Sequence, residues 1–173
     1  MWNNNCSLIN KVKKEMRSSE EIASLELVQA LFMKSNISSK LSTGQYDKYD
    51  IITENNWRIE VKNRKLSKSD FIKYNNGGFI LEEIKYSYLI QFNNSRYINV
   101  FHVNGLTFIL NWKIKDVRPI INDLYCRKTT HFENTNRVRK SVIYLKAETA
   151  LIYLYEDNDF KKIDFNTLID KLN

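Results

Sequence analysis

The sequence predicts an α/β (α+β) domain with a mixed central β-sheet flanked by helices. Three observations point there: a capped, largely apolar helix near the N-terminus, an alternating strand hairpin soon after it, and later strand-like runs before a closing helix. The 173 residues leave room for one sizeable core, and no repeat, low-complexity linker or Pro/Gly seam divides them. A single domain over 1–173 is expected.

The first helix is read over Ser18–Lys34, because Ser18 as N-cap and Glu21 three residues on form a capping box ahead of the mostly apolar run Ile22–Met33. An extended piece at 37–41 precedes two strands, 46–53 and 57–63, joined near Glu54-Asn55-Asn56. In the second strand Trp57, Ile59 and Val61 point toward a core, and Arg58, Glu60 and Lys62 point away. Residues 66–86 are broken by Asn75-Asn76-Gly77-Gly78, with Ile80–Lys85 as a helix turn or two. Residues 86–92, 97–103 and 106–112 then read as a meander with a type I′ turn at Asn104-Gly105. A helix over 116–125, strands over 142–145 and 151–155, and a helix over 165–172 complete the expectation.

The formal charge of +7 favours an anionic partner, which for this chain means nucleic acid or a membrane surface. No apolar run reaches the roughly 18 residues of a spanning helix, and Met1-Trp2-Asn3-Asn4-Asn5 lacks the order of a signal peptide. An intracellular, non-secreted chain, cytoplasmic or nucleoid-associated, is expected. Cys6 and Cys126 have no metal or disulfide spacing and read as free thiols. No P-loop, Rossmann glycine pattern or nucleophile elbow occurs, and His102 in mid-strand reads as a packed imidazole.

The chemistry concentrates on the first hairpin. Asp50 and Glu60 can share a hard divalent cation, with the Val61 carbonyl as a further ligand, and Lys62 lands beside them. Lys62 would act on the attacking water or the phosphate, as an electrostatic stabiliser or as a base with a lowered pKa. Register decides the proposal. A three-residue loop at Glu54–Asn56 pairs 50 with 60 and puts both acids on one side, whereas a two-residue loop pairs 50 with 61 and makes Asp47 the ligand.

A helix followed by a hairpin carrying Asp50, Glu60 and Lys62 resembles the PD-(D/E)XK nuclease superfamily, the restriction-endonuclease-like fold. The resemblance covers about 19–92 as a common core, leaving 93–173 as a C-terminal elaboration of extra strands and the closing helix. Tyr49 stands where many members have proline. Members often carry a metal-binding acid on the first helix. Glu20 and Glu21 are accounted for by the cap, whereas Glu26, flanked at helical spacing by Ile22, Ala23, Gln29 and Ala30, is assigned to the site.

The resemblance implies a Mg²⁺-dependent (or Mn²⁺-dependent) endonuclease that hydrolyses DNA in preference to RNA, of restriction, homing, junction-resolving, phage or repair type, acting as a homodimer. Basic residues would hold the strand: Arg64, Lys65, Lys68 and Lys73 after the catalytic strand, then Arg127, Lys128, Arg137, Arg139 and Lys140. The alternative is a non-catalytic nucleic-acid-binding module that positions DNA for a partner.

Overall fold

The computed structural model describes residues 18–42, 49–77, 79–127 and 137–172. Helix α1 is Ser19–Lys34, and its start is the expected capping box: the Ser18 hydroxyl accepts from the Glu21 N–H, and the Glu21 carboxylate accepts from the Ser18 N–H. This satisfies two donors that a helix N-terminus leaves open. Then follow β1 (Ser39–Leu41), β2 (Ile51–Thr53), β3 (Arg58–Lys65), α2 (Lys68–Gly77), β4 (Phe79–Glu82), α3 (Glu83–Leu89), β5 (Arg96–Val103) and β6 (Leu106–Lys113). The chain continues with β7 (Ile121–Arg127), β8 (Arg137–Leu145), β9 (Leu151–Glu156), β10 (Asp159–Ile163) and α4 (Phe165–Leu172).

The strands form a seven-stranded mixed sheet in the order β1-β2-β3-β5-β6-β9-β10 and a three-stranded sheet in the order β4-β8-β7. Every pairing is antiparallel except β3 with β5, which run parallel with Glu60 opposite Tyr97 and Lys62 opposite Asn99. A parallel pair needs a long crossover. Here α2, β4 and α3 supply it.

Alternation along β3 and β5 sorts the core into two clusters. On one face of the large sheet Leu25, Val28, Leu31 and Phe32 of α1 cover Ile59, Val61, Ile98, Val100 and Ile109. On the other face Tyr97, Phe101, Phe108 and Trp112 pack with Phe71, Phe79, Leu81, Leu89, Ile143, Leu145, Leu168 and Leu172. That second cluster joins the small sheet and the helices α2, α3 and α4 to the large sheet. Its interior is strongly aromatic, with Phe101 stacked between Phe71 and Phe108 at centroid distances of 5.1 and 5.2 Å.

Several elements depart from expectation. The helix turn expected at 80–85 is met at 83–85 but runs on to Leu89, so 86–89 are helical rather than the start of a meander strand, and 79–82 are a strand. Tyr86, Tyr88 and Ile90 alternate like a strand, but Tyr86, Leu89 and Ile90 also recur at helical spacing, and the core receives all of them. The helix expected at 116–125 is replaced by a 3-10 turn at Ile114–Asp116 and strand β7. Pro119 explains the break, since it has no N–H to give a helix and turns the residue before it toward extended backbone. Strand β10 was not anticipated; Asp157 and Asn158, with φ of 53° and 59°, make the tight turn that leads into it. Asn104 and Gly105, with φ of 51° and 78°, do the same between β5 and β6 as expected. Of the strand expected at 46–53, Ile51–Thr53 is formed, and 43–48 lie outside the described residues. Among the described residues no helix is long and apolar enough to cross a membrane.

Candidate active site

The first hairpin closes through Glu54, Asn55 and Asn56. Thr53 N donates to Trp57 O at 3.2 Å, Asn56 N donates to Thr53 O at 2.9 Å, and Asn56 takes φ 62°. The ladder that results pairs Ile51 with Ile59 and Ile52 with Arg58, so position 50 stands opposite 60. Asp50 departs from this ladder by one residue, its N–H donating to Ile59 O at 2.8 Å. Such a bulge-like offset turns a side chain toward the neighbouring strand. The Asp50 carboxylate uses the turn: Oδ2 accepts the Val61 N–H at 2.9 Å.

Because Ile59 and Val61 lie under α1, Glu60 and Lys62 face the opposite side. Glu60 is 1% exposed, and its Oε1 is shared by two ammonium groups, Lys62 Nζ at 2.8 Å and Lys85 Nζ from α3. Burial pushes the Glu60 carboxyl up, but the two lysines outweigh it and hold the group below its ordinary value. Burial likewise pushes Lys62 down, and Glu60, with smaller contributions from Tyr97 and Asp50, raises it above the ordinary lysine value. Lys62 is therefore an ammonium ion at neutral pH. This corrects the expectation of a lowered pKa for Lys62.

The same face extends in both directions. Arg64 Nε donates to Asn99 Oδ1 at 2.9 Å, and the buried Tyr97 hydroxyl donates to Ile80 O at 2.6 Å. At the other end the Arg58 guanidinium lies 4.9 Å from the Tyr49 ring and 5.0 Å from the Phe92 ring, with Tyr49 stacked on Tyr88.

Not every expected residue joins this group. Glu26 is exposed, on a helix whose packed side is Leu25, Val28, Leu31 and Phe32, and that helix covers the sheet face opposite Glu60. Its assignment to the site is corrected: neighbours at helical spacing do not make a buried face when Ala23 and Ala30 are themselves exposed. The α1 acid that meets β3 is Glu20, which pairs with Lys65 on the α1 side of the strand. Lys65 is thus turned from the Glu60 face. Lys68 opens α2 and Lys73 is exposed on it. Arg139 is paired with Asp123, and Lys140 with Glu82 at 2.8 Å, so their charges are offset within the small sheet. Arg127 and Arg137 are directly opposite each other in the β7–β8 ladder; Lys128 and the alternative ligand Asp47 lie outside the described residues.

Lys85 is the residue that sequence reasoning missed. Asp50, just before β2, and Glu60, on β3, carry hard oxygen donors of the kind Mg²⁺ takes alongside water, and the Val61 N–H donates to Asp50 Oδ2. Among the described residues no group of three or more His, Cys, Asp or Glu side chains comes together as a metal cage. In the structure Glu60 Oε1 is taken by the ammonium groups of Lys62 and Lys85, and Asp50 Oδ2 by the Val61 N–H. Comparisons with protein-family models, with curated proteins and with solved structures find no match to this chain.

Proposed function

We propose that the protein is a Mg²⁺-dependent endonuclease that hydrolyses DNA phosphodiester bonds. One observation carries the reading: the hairpin register sets position 50 opposite Glu60, on the sheet face where Lys62 pairs with Glu60. The succession α1, β1, β2, β3 and then β5 parallel to β3 is compatible with the helix, three strands, helix and strand of a restriction-endonuclease-like core, although the crossover here holds α2 and β4 as well as α3. Asp50 and Glu60, with the Val61 carbonyl, would hold the cation, which supplies charge neutralisation and a more acidic bound water. Lys62, protonated and 43% exposed, reaches solvent to meet the scissile phosphate and the charge that grows on it. Arg58 and Arg64, on the same face, are placed to hold flanking phosphates. Cutting both strands of a duplex calls for two such sites, and a homodimer related by a twofold axis supplies them.

The test is cleavage of plasmid and branched DNA with Mg²⁺ by the wild type, Glu60→Gln and Lys62→Met. Loss in both variants is expected, and cleavage that survives both overturns the mechanism. A second reading, a module that binds nucleic acid without cutting it, is favoured by the two ammonium groups already on Glu60. Salt-sensitive DNA binding by a wild type that shows no Mg²⁺-dependent cleavage would select it.

A further inference from the structure

A cleft of about 610 Å³ opens beside the ends of β5 and β6, the 114–118 turn and the β8–β9 connection. It shares no residue with the Asp50, Glu60, Lys62 and Lys85 group. Its size is that of a small-molecule site. Among the described residues Arg96, Lys113, Arg118 and Lys146 line it, against the single acid Asp116. That excess is poorly offset: Lys113 stands 4.0 Å from Asp116, and Lys146 stands 3.7 Å from Glu148.

Two buried polar atoms of the lining have no hydrogen-bond partner: Asn111 Oδ1, in a residue only 6% exposed, and Arg96 Nε. A buried acceptor left without a donor costs free energy, and native interiors rarely keep one without a use. The Arg96 guanidinium is held from its other side by the Trp57 ring, 5.3 Å away. Trp112 in the lining is also fixed, its Nε1 donating to Lys146 O and Thr149 Oγ1 at 3.1 Å each.

The cleft therefore favours three things in an occupant: negative charge for the cations, an N–H donor for Asn111 Oδ1, and an apolar body for the lining residues Trp112, Val117, Ile120 and Leu151. We infer that it binds a nucleoside phosphate, the phosphate against Lys113, Arg118 and Lys146 and a base N–H donating to Asn111. Inorganic phosphate meets only the first demand and a nucleoside only the other two. The inference is independent of DNA cleavage, which is measured separately.

The full chain is titrated calorimetrically with AMP, GMP, CMP and UMP, with the matching nucleosides and with inorganic phosphate. Saturable binding of at least one nucleotide is expected, with its nucleoside and phosphate weaker by roughly tenfold or more. Arg118→Ala, at an exposed position, weakens that nucleotide by roughly tenfold without lowering the melting temperature, and Asn111→Leu weakens it by roughly fivefold or more. Three results overturn the inference: no saturable nucleotide binding, phosphate binding as tightly as the nucleotides, or nucleotide affinity unchanged in Arg118→Ala. The last keeps the test decisive should Asn111→Leu fail to fold.

Discussion

Glu60 and Lys85 meet across the junction of β3 and α3, a carboxylate 1% exposed against a lysine 23% exposed. Lys62 completes the arrangement from two residues further along β3. A buried carboxylate is costly unless compensated, and here either lysine can compensate it. Lys85→Met and Lys62→Met are each expected to cost about 1 kcal/mol, because the remaining lysine still compensates the charge. The double variant strands the charge and should lose about 3–5 kcal/mol, more than the sum of the two singles. Urea unfolding of the four proteins measures this, and simple additivity would show that the lysines do not substitute for one another.

The pH dependence of stability follows from the same group. The Glu60 carboxyl is depressed in the folded state, so its contribution is present above the ordinary carboxylate value of 4.5 and lost as pH falls through the lower folded value. Lys62 is raised, so its contribution is present below 10.5 and lost as pH climbs through the folded value. Melting temperature should fall at both extremes. In Glu60→Gln both limbs should be shallower, and limbs as steep as in the wild type would count against this assignment.

The proposed mechanism adds a ligand role to the hydrogen bond that Asp50 makes, and substitution can separate the two. Asp50→Asn retains an oxygen acceptor for the Val61 N–H and should change stability by less than about 1 kcal/mol. It lacks the negative charge, and Mg²⁺-dependent cleavage should fall by roughly 100-fold or more. Asp50→Ala loses the hydrogen bond as well and should cost about 1–2 kcal/mol. Urea melts beside plasmid cleavage give both readouts.

Asn56 holds the loop that sets the hairpin register. At φ 62° a residue with a Cβ and no local hydrogen bond is disfavoured, and Asn56 Oδ1 also accepts from Arg58 at 2.6 Å. Asn56→Val should cost about 1–3 kcal/mol and Asn56→Gly less, since glycine adopts this backbone freely. Equal losses in thermal unfolding would mean that the Arg58 contact, not the backbone, dominates.

Glu26 provides the converse. Being exposed on the side of the sheet opposite Glu60, it should tolerate Glu26→Ala within about 0.5 kcal/mol and with cleavage unchanged. A large drop in cleavage would restore it to the site.

The parts of this fold legible in the sequence are those set by neighbours in the chain. The Ser18–Glu21 cap, the alternation from Trp57 to Lys62, the Glu54–Asn56 loop and the Asn104-Gly105 turn are all local. What was not legible depends on distant partners. Tyr86 to Ile90 satisfies strand and helix periodicity alike, and only the core into which Leu89 fits chooses the helix. β7 exists because β8 pairs with it, and β10, a short half-buried strand, because β9 does. Lys85 was hidden for the same reason: no spacing rule links it to Glu60 when α3 first has to dock.

The parallel seam between β3 and β5 has a consequence for how the chain acquires its structure. The β2–β3, β5–β6 and β9–β10 hairpins close through short turns, events of microseconds, but the seam waits until residues 66–95 have crossed over and packed. Until then β3 offers an open edge, the kind of surface that recruits strands from other chains. Arg58, Glu60, Lys62, Arg64 and Lys65 crowd that edge with charge. The side chains proposed for chemistry thus also act as guards during synthesis, keeping β3 solvated and solitary until β5 arrives. Replacing them with apolar residues would endanger the yield of folded protein before any question of activity arose.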